Sequence, residues 1–457
     1  MRGAPGIWAG VALVAAVAQT AFALLLQVAG MALRVSDAAA TAPSERQAAT
    51  SLGQAVFTAA FWTALVGVLV TMWVTGQAIR LRRGALALLA LNGATPGQLV
   101  RLTVVQVTVI ALAMAAPAGL IASSMAGRAA GYALDQIGEG RIGLVGPPPV
   151  SGWVWGSLIG LAVTALGGLL TARRLSRVAP VEALRRAVDP PARVGWARGA
   201  VFVVLVVAAF WAFMVVAAKP TGDVQGLVSL PLLGILLLLC AAAAGGPVLL
   251  PLVTRAWTAL LPLPATTWTI ARQQAATRIN RSSATVVPLA VALAMPMAFL
   301  GMSGVLRSTM AGPGRSEVGP GVELGGLVII FGPAVAIALA GALAGIVITS
   351  RARALDVALT SINGAGPVQT WMATALDGAI AMGTSLVVAA AAVATGEVAA
   401  TLGLRRHFGH AAFSWPLKAW LVVGAAVVAC GTVATLFAAV RPLLEPPFKV
   451  VSTYVAD

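Results

Sequence analysis

Few side chains in this sequence are equipped for chemistry, and their spacing excludes more than it offers. A phosphate-binding P-loop needs Gly-Lys-Ser/Thr, because its lysine reaches the terminal phosphates. The three lysines, Lys219, Lys418 and Lys449, follow Ala218, Leu417 and Phe448, so no such loop is encoded. His407 and His410 stand at i,i+3 spacing, but two histidines without cysteine or clustered acids make a poor metal site. Cys240 and Cys430 lie in apolar runs and read as reduced packing residues. No catalytic residue, metal ligand or cofactor site is therefore expected. Asp377 stands apart, because it falls inside an apolar run long enough to cross a bilayer. An ionisable group at that depth is costly and faces a protein interior or a water-filled cavity. It reads either as a polar clasp between helices or as a site in the path or hinge between two parts of the molecule.

A second set of residues points to mechanical work. Arg80-Leu81-Arg82 reappears 271 residues later as Arg351-Ala352-Arg353. Ten residues after the second arginine, Asn92-Gly93-Ala94-Thr95-Pro96-Gly97-Gln98 reappears as Asn363-Gly364-Ala365-Gly366-Pro367-Val368-Gln369, with five of seven positions identical. The same offset sets Gln106 opposite Asp377. Arg80 to Leu91 reads as a short helical run with basic residues in its first turn. Asn-Gly then supplies the left-handed residue that ends a helix. Thr95 caps the next helix, with Pro96 at its first position and Gln98 at its third, a capping box; Gly366 takes the cap position in the second copy. Each copy reads as a short interfacial helix, a sharp turn, and a membrane helix directly behind it. Such an elbow passes a push on the short helix straight into a span.

The elements that position these residues follow from composition. Of 457 residues, 59% are hydrophobic and only 10% charged, and mean hydropathy is +0.94, too little charge for the surface of a soluble protein of this size. Runs of roughly 20 apolar residues, enough to cross about 30 Å of hydrocarbon, fall at 7–33, 53–79, 99–124, 151–172, 199–218, 227–250, 284–306, 325–349, 368–395 and 415–440. The reading is an all-α polytopic membrane protein of about ten transmembrane helices. The sixth run is crowded by Pro231, Pro247 and Pro251. With the N-terminus inside, the cytoplasmic segments hold 20 of the 30 basic residues; the outer segments hold 10, with 8 of the 14 acidic ones. Both termini are thus expected in the cytoplasm. The pI of 11.6 then reports topology and affinity for anionic lipid, not nucleic-acid binding. Because both elbows enter the membrane in one direction, the halves read as parallel pseudo-repeats, 4 + 2 + 4. The expected division is 1–198, a two-helix connector 199–251, and 252–457.

On these motifs the sequence resembles the FtsX/MacB-like ABC transporter permeases, in a duplicated ten-helix form. Arg82-Arg83-Gly84-Ala85 through Gly93-Ala94 matches the family's basic, Leu/Ala-rich stretch between its second and third helices. Arg173-Arg174 through Pro180-Val181-Glu182-Ala183-Leu184-Arg185 matches the basic stretch that follows the fourth, and Arg272, Arg278 and Arg281 the one that precedes the first helix of a half. Asp356 fits the acid that the family carries early in the coupling segment; the first copy has Gly84-Ala85. The resemblance implies a separate ATPase subunit carrying ATP and Mg, with two ATPase protomers docking near the elbows. Arg80, Arg82, Arg83, Asn92, Gly93, Ala94, Pro96 and Gln98, and Arg351, Arg353, Asp356, Asn363, Gly364, Ala365, Pro367 and Gln369, would form the coupling surfaces. The outer loops, 34–52, 125–150, 219–226, 307–324 and 396–414, are too short for an independent domain. This favours a hydrophobic or amphipathic substrate (a lipid, antimicrobial peptide or drug) entering from the membrane. Two other readings stand beside it: a mechanotransmitting regulator that signals to a sensor kinase, accessory protein or cell-wall hydrolase without transport, and an ion-driven secondary transporter, for which Asp377 speaks. An Ala/Arg/Gly-rich, Lys-poor composition points to a bacterial plasma membrane.

Overall fold

The computed structural model describes residues 5–37, 43–137, 147–175, 195–216, 224–261, 266–311 and 324–444. Among the described residues the chain is all-α, with no strand. A bilayer leaves no other open-ended choice, since each backbone N–H and C=O must be satisfied within its own segment. The helices are α1 (Pro5–Asp37), α2 (Pro43–Leu81), α3 (Arg83–Leu91), α4 (Pro96–Ile137), α5 (Val150–Leu175), α6 (Trp196–Val216), α7 (Val224–Ala244), α8 (Gly246–Ala259), α9 (Thr266–Ala311), α10 (Leu324–Ile362), α11 (Pro367–Phe408) and α12 (Leu417–Leu444). Nine of these described helices are long and apolar enough to cross a membrane; the pair α7–α8 makes a tenth if taken as one span. The chain is therefore a multi-pass membrane protein.

That pair changes the sixth predicted span. The apolar run 227–250 is not one straight helix: α7 ends at Ala244, and α8 leaves at 97° after Gly245. Gly245-Gly246-Pro247 explains the break, because two glycines weaken the helix and the proline, lacking an N–H, sits best in the first turn of a new one. Elsewhere the helices overrun the predicted spans. α2 begins at Pro43, α4 runs to Ile137 and α11 runs to Phe408. Pro117, Pro288, Pro296 and Pro333 lie inside helices that continue past them.

The chain forms two compact units. The first holds α1–α5 and the part of α10 up to Ala344. Its centre is α1, packed on α2, α4 and α5. The α1–α5 contact rests on three glycines one helical turn apart, Gly152, Gly156 and Gly160. A Cβ on Gly152 would stand 2.8 Å from Gln27 Cα, one on Gly160 2.9 Å from Gln19 Cα, and one on Gly156 would meet the Ala23 backbone. Small residues at this spacing let two membrane helices approach backbone to backbone. Two glutamines of α1 then reach across to α4: Gln19 Nε2 donates to Ala111 O (2.6 Å) and Gln27 Nε2 to Ser123 Oγ (2.7 Å). Thr171 Oγ1 donates to Met72 O (3.0 Å), tying α5 to α2.

The second unit holds α6–α9, α11, α12 and the rest of α10. Its spine is the seam between α9 and α11. The helical hairpin α6–α7 closes at Gly234, which Phe213 overlies, and packs on that spine at Gly396, which Ile235 overlies. α8 is tied to α11 by Trp257 Nε1 donating to Thr384 Oγ1 (3.1 Å) and by a Thr254–Thr384 hydroxyl contact of 3.1 Å. The last helix of each predicted quartet is packed differently. α5 is wedged among α1, α2 and α4, whereas α12 leans on α11. The glycine ladder is only partly kept in the second: the positions 271 residues after Gly152 and Gly156 are Val423 and Val427, while Gly431, matching Gly160, remains and lies against Met382.

Candidate functional site

The two Asn-Gly segments fold alike. In the first, Gly93 takes φ +92°, the left-handed region that favours glycine. Gly93 N–H donates to Ala90 O (3.0 Å) and Ala94 N–H to Leu89 O (3.0 Å), the paired bonds of a Schellman helix end. In the second, Gly364 also has φ +92°, Gly364 N–H donates to Ser361 O (3.1 Å) and Ala365 N–H to Thr360 O (3.3 Å). The caps behind the turns agree as well. Thr95 N–H donates to Gln98 Oε1 (2.8 Å) and Gln98 N–H to Thr95 Oγ1 (3.4 Å), a capping box. In the second copy Gly366 N–H donates to Gln369 Oε1 (3.2 Å). Asn92, Gly93, Pro96, Gln98, Asn363, Gly364, Pro367 and Gln369 are exposed, while Ala94 and Ala365 are half-buried. Nothing approaches the empty Cβ positions of Gly93 and Gly364. Each turn therefore offers its tip freely while its backbone is fixed.

The helix ahead of the turn differs between copies. In the first it is a separate element: α2 ends at Leu81, the chain turns at Arg82, and α3 begins at Arg83. In the second no break occurs, and α10 runs through Arg351 and Arg353 to Ile362. A separate short helix thus stands ahead of the first turn only. Sequence accounts for this: Gly84 sits in the first turn of α3, where the second copy has Leu355, a strong helix former. The first break is braced by a contact that no local pattern announces, the Arg82 guanidinium lying 4.8 Å from the Trp8 ring centroid. Trp8→Ala is expected to lower stability by about 1 kcal/mol and to raise hydrogen exchange in α3 selectively; a thermal melt and exchange mapping check both. Leu81, Leu88, Leu89 and Leu91 remain exposed around this elbow, and Arg80 is exposed beside them. The side chains of Arg83, Arg351, Arg353 and Asp356 lie outside the described residues, as do the motif from Pro180 to Arg185 and the side chains of Arg278 and Arg281.

Asp377 and Gln106 occupy matching places, each ten residues past the proline that opens its helix, and each is half-buried. A deeper ionisable group lies where the sequence placed an outer loop. Glu397 sits within α11, is 0% exposed, and neither carboxyl oxygen has a hydrogen-bond partner among the described residues. Its carboxyl fills the space that a Cβ on Gly301 of α9 would need. The predicted span stopped at 395 because Gly396-Glu397 interrupts the apolar run; buried positions continue to Leu404, and the helix to Phe408, where Gly409 (φ +73°) ends α11. Beyond it, His410 Nε2 lies 2.8 Å from Thr309 O, so this histidine bridges to α9 and is not a freely solvated loop residue.

Residues 57–180 match the family described as FtsX-like permease C-terminal, a stretch that includes the first elbow. No curated protein matches the chain. The match bears out the resemblance to FtsX/MacB-like permeases, which are membrane components of ABC transporters distinct from the ATPase.

Proposed function

We propose that this chain is the transmembrane subunit through which a separate ATPase drives export or membrane extraction of a hydrophobic or amphipathic compound. The observation that carries the reading is the pair of elbows. Two exposed Asn-Gly turns, 271 residues apart, share one dihedral angle and one hydrogen-bond pattern, and each is joined without slack to a helix of 42 residues. A device for receiving force needs an exposed contact and a stiff connection, and each elbow has both. The residues around Arg80, Arg82 and Asn92–Gln98, and around Asn363–Gln369, would receive one ATPase protomer each, on a cytoplasmic face that also holds both termini. ATP-driven closure of the two protomers would then move the helices behind the elbows. ATP and Mg belong to that partner.

Purification from native membranes under mild conditions should recover an ATPase at two copies per chain. Vesicles containing both proteins should then move an amphipathic dye or lipid analogue only with ATP. Recovery of no ATPase, together with full activity after the 82–98 segment is replaced by a Gly/Ser linker, would remove this reading. An ATPase that binds and hydrolyses without moving any compound would favour signalling to a sensor kinase instead. Asp377→Leu should leave ATPase binding intact; unchanged transport as well would show that Asp377 is only a helix clasp.

A further inference from the structure

Glu397 is a buried ionisable group for which the elbows provide no role, and its surroundings define what it can bind. α9 contributes Gly301 beneath the carboxyl and Gly304 a turn on, with Ser414 in the space above Gly304. α7 and α6 contribute Ile235 and Phe213 over the neighbouring Gly396. Toward the end remote from the elbow, Val216, Val305, Leu404 and Ala411 close an apolar plug. Thr401 is turned away from the carboxyl, its hydroxyl donating to the backbone oxygen of residue 397 (2.7 Å).

No described group of opposite charge faces Glu397 from any helix packed in this unit. On α9 the nearest is Arg307, six residues beyond Gly301 and so about 9 Å along the axis. On α11 itself, Asp377 is five turns back and Arg405 is about 12 Å ahead, its Nε already donating to Ala411 O (2.7 Å). α7 carries no charged residue, and its Cys240 is more than a turn past Ile235. α6 carries only Arg198 near its start, α8 only Arg255, and α12 Lys418 and Arg441. His410 is engaged with Thr309 O.

Among the described residues, an ionised carboxylate in this seam would lack both a counter-charge and a donor, the condition that buried charges avoid. We propose that Glu397 is a proton-binding site that latches the α9–α11 seam. With its proton bound, the carboxyl is small and neutral enough to lie against Gly301, and the helices close at glycine distance. Release of the proton requires water at the carboxyl, and water can reach it only if the seam parts. Seam opening and proton release are one linked event, and alkaline conditions favour it. The inference stands on this unit alone and does not depend on the ATPase reading.

The test uses the full chain in nanodiscs of phosphatidylethanolamine and phosphatidylglycerol. Hydrogen exchange at the amides of 393–404, corrected for the intrinsic pH dependence of exchange, reads seam opening. Wild type should open up to about tenfold more per pH unit, the slope for one proton released, while Glu397→Gln, which keeps a neutral side chain of the same shape, should be flat. In parallel, a hydrophobic carbodiimide, which modifies protonated carboxyls in apolar surroundings, should label Glu397 and lose that labelling as pH rises. A flat wild-type profile overturns the proposal whether or not the variant folds. So does a slope retained in Glu397→Gln, or labelling confined to Asp377.

Discussion

Gly93→Val and Gly364→Val together are expected to abolish ATP-driven work while leaving the helices in the membrane. Both glycines have φ +92°, where a side chain is strained, and a β-branched one most of all. The left-handed conformation costs an L-residue roughly 1–2 kcal/mol, enough to shift each turn between its conformations by a factor of about 5–30. Nothing lies within reach of either Cβ, so the penalty is confined to the backbone and does not propagate into the core. The signature is a thermal melt close to wild type beside transport, or ATPase stimulation by substrate, reduced at least tenfold. Single substitutions should give intermediate losses, and Gly→Asn, which tolerates the left-handed region, should restore most of the activity. Equal loss of folding and function, or full activity in the double variant, would remove the elbows from the mechanism.

The second large effect is structural. Gly156→Ala introduces one methyl group, yet its Cβ would meet the backbone of Ala23, which cannot rotate aside as a side chain can. α1 and α5 must separate, and both glutamine bridges from α1 to α4 hang on the position of α1. A loss of about 1–3 kcal/mol follows for alanine, and failure of the first unit to assemble for Gly156→Leu. Gly127→Ala and Gly131→Ala on α4 provide the contrast, since their Cβ positions are open; they should be neutral or slightly stabilising. Melting temperature in detergent, compared across the four variants, decides the matter. If Gly156→Ala melts with Gly127→Ala, the close approach of α1 to α5 is not what holds this unit.

What could be read from the sequence was local. The elbows were legible because Asn-Gly, Thr-Pro-x-Gln and Gly-Pro-x-Gln satisfy backbone groups within a few residues, and chemistry of that range leaves its mark in the order of residues. The break at Arg82 was half legible: Gly84 weakens the helix, but the Trp8 ring that braces Arg82 comes from the other end of the first quartet. Glu397 was hidden for the opposite reason. An acid at the edge of an apolar run looks like the start of a loop, and only the glycines of another helix, Gly301 and Gly304, make room to bury it. The ladder of Gly152, Gly156 and Gly160 went unread, because its meaning lies in α1, more than a hundred residues earlier. The right-angled turn at Gly245 belongs between these cases, since the prolines marked the place without giving the angle.

The length of α11 has a consequence of its own. At 42 residues it measures about 63 Å, roughly twice the hydrocarbon thickness, and Glu397 lies about 45 Å along it from Pro367. A rod that long would act as a lever if the elbow were pushed: a rotation of about 5° at its start would carry Glu397 sideways by about 4 Å. α4 has the same length but contains Pro117 midway, a point at which it can bend and absorb such a stroke. α11 has no internal proline. Of two helices of equal length, one carries a joint and one does not, and the unjointed one holds the buried acid in its distal third.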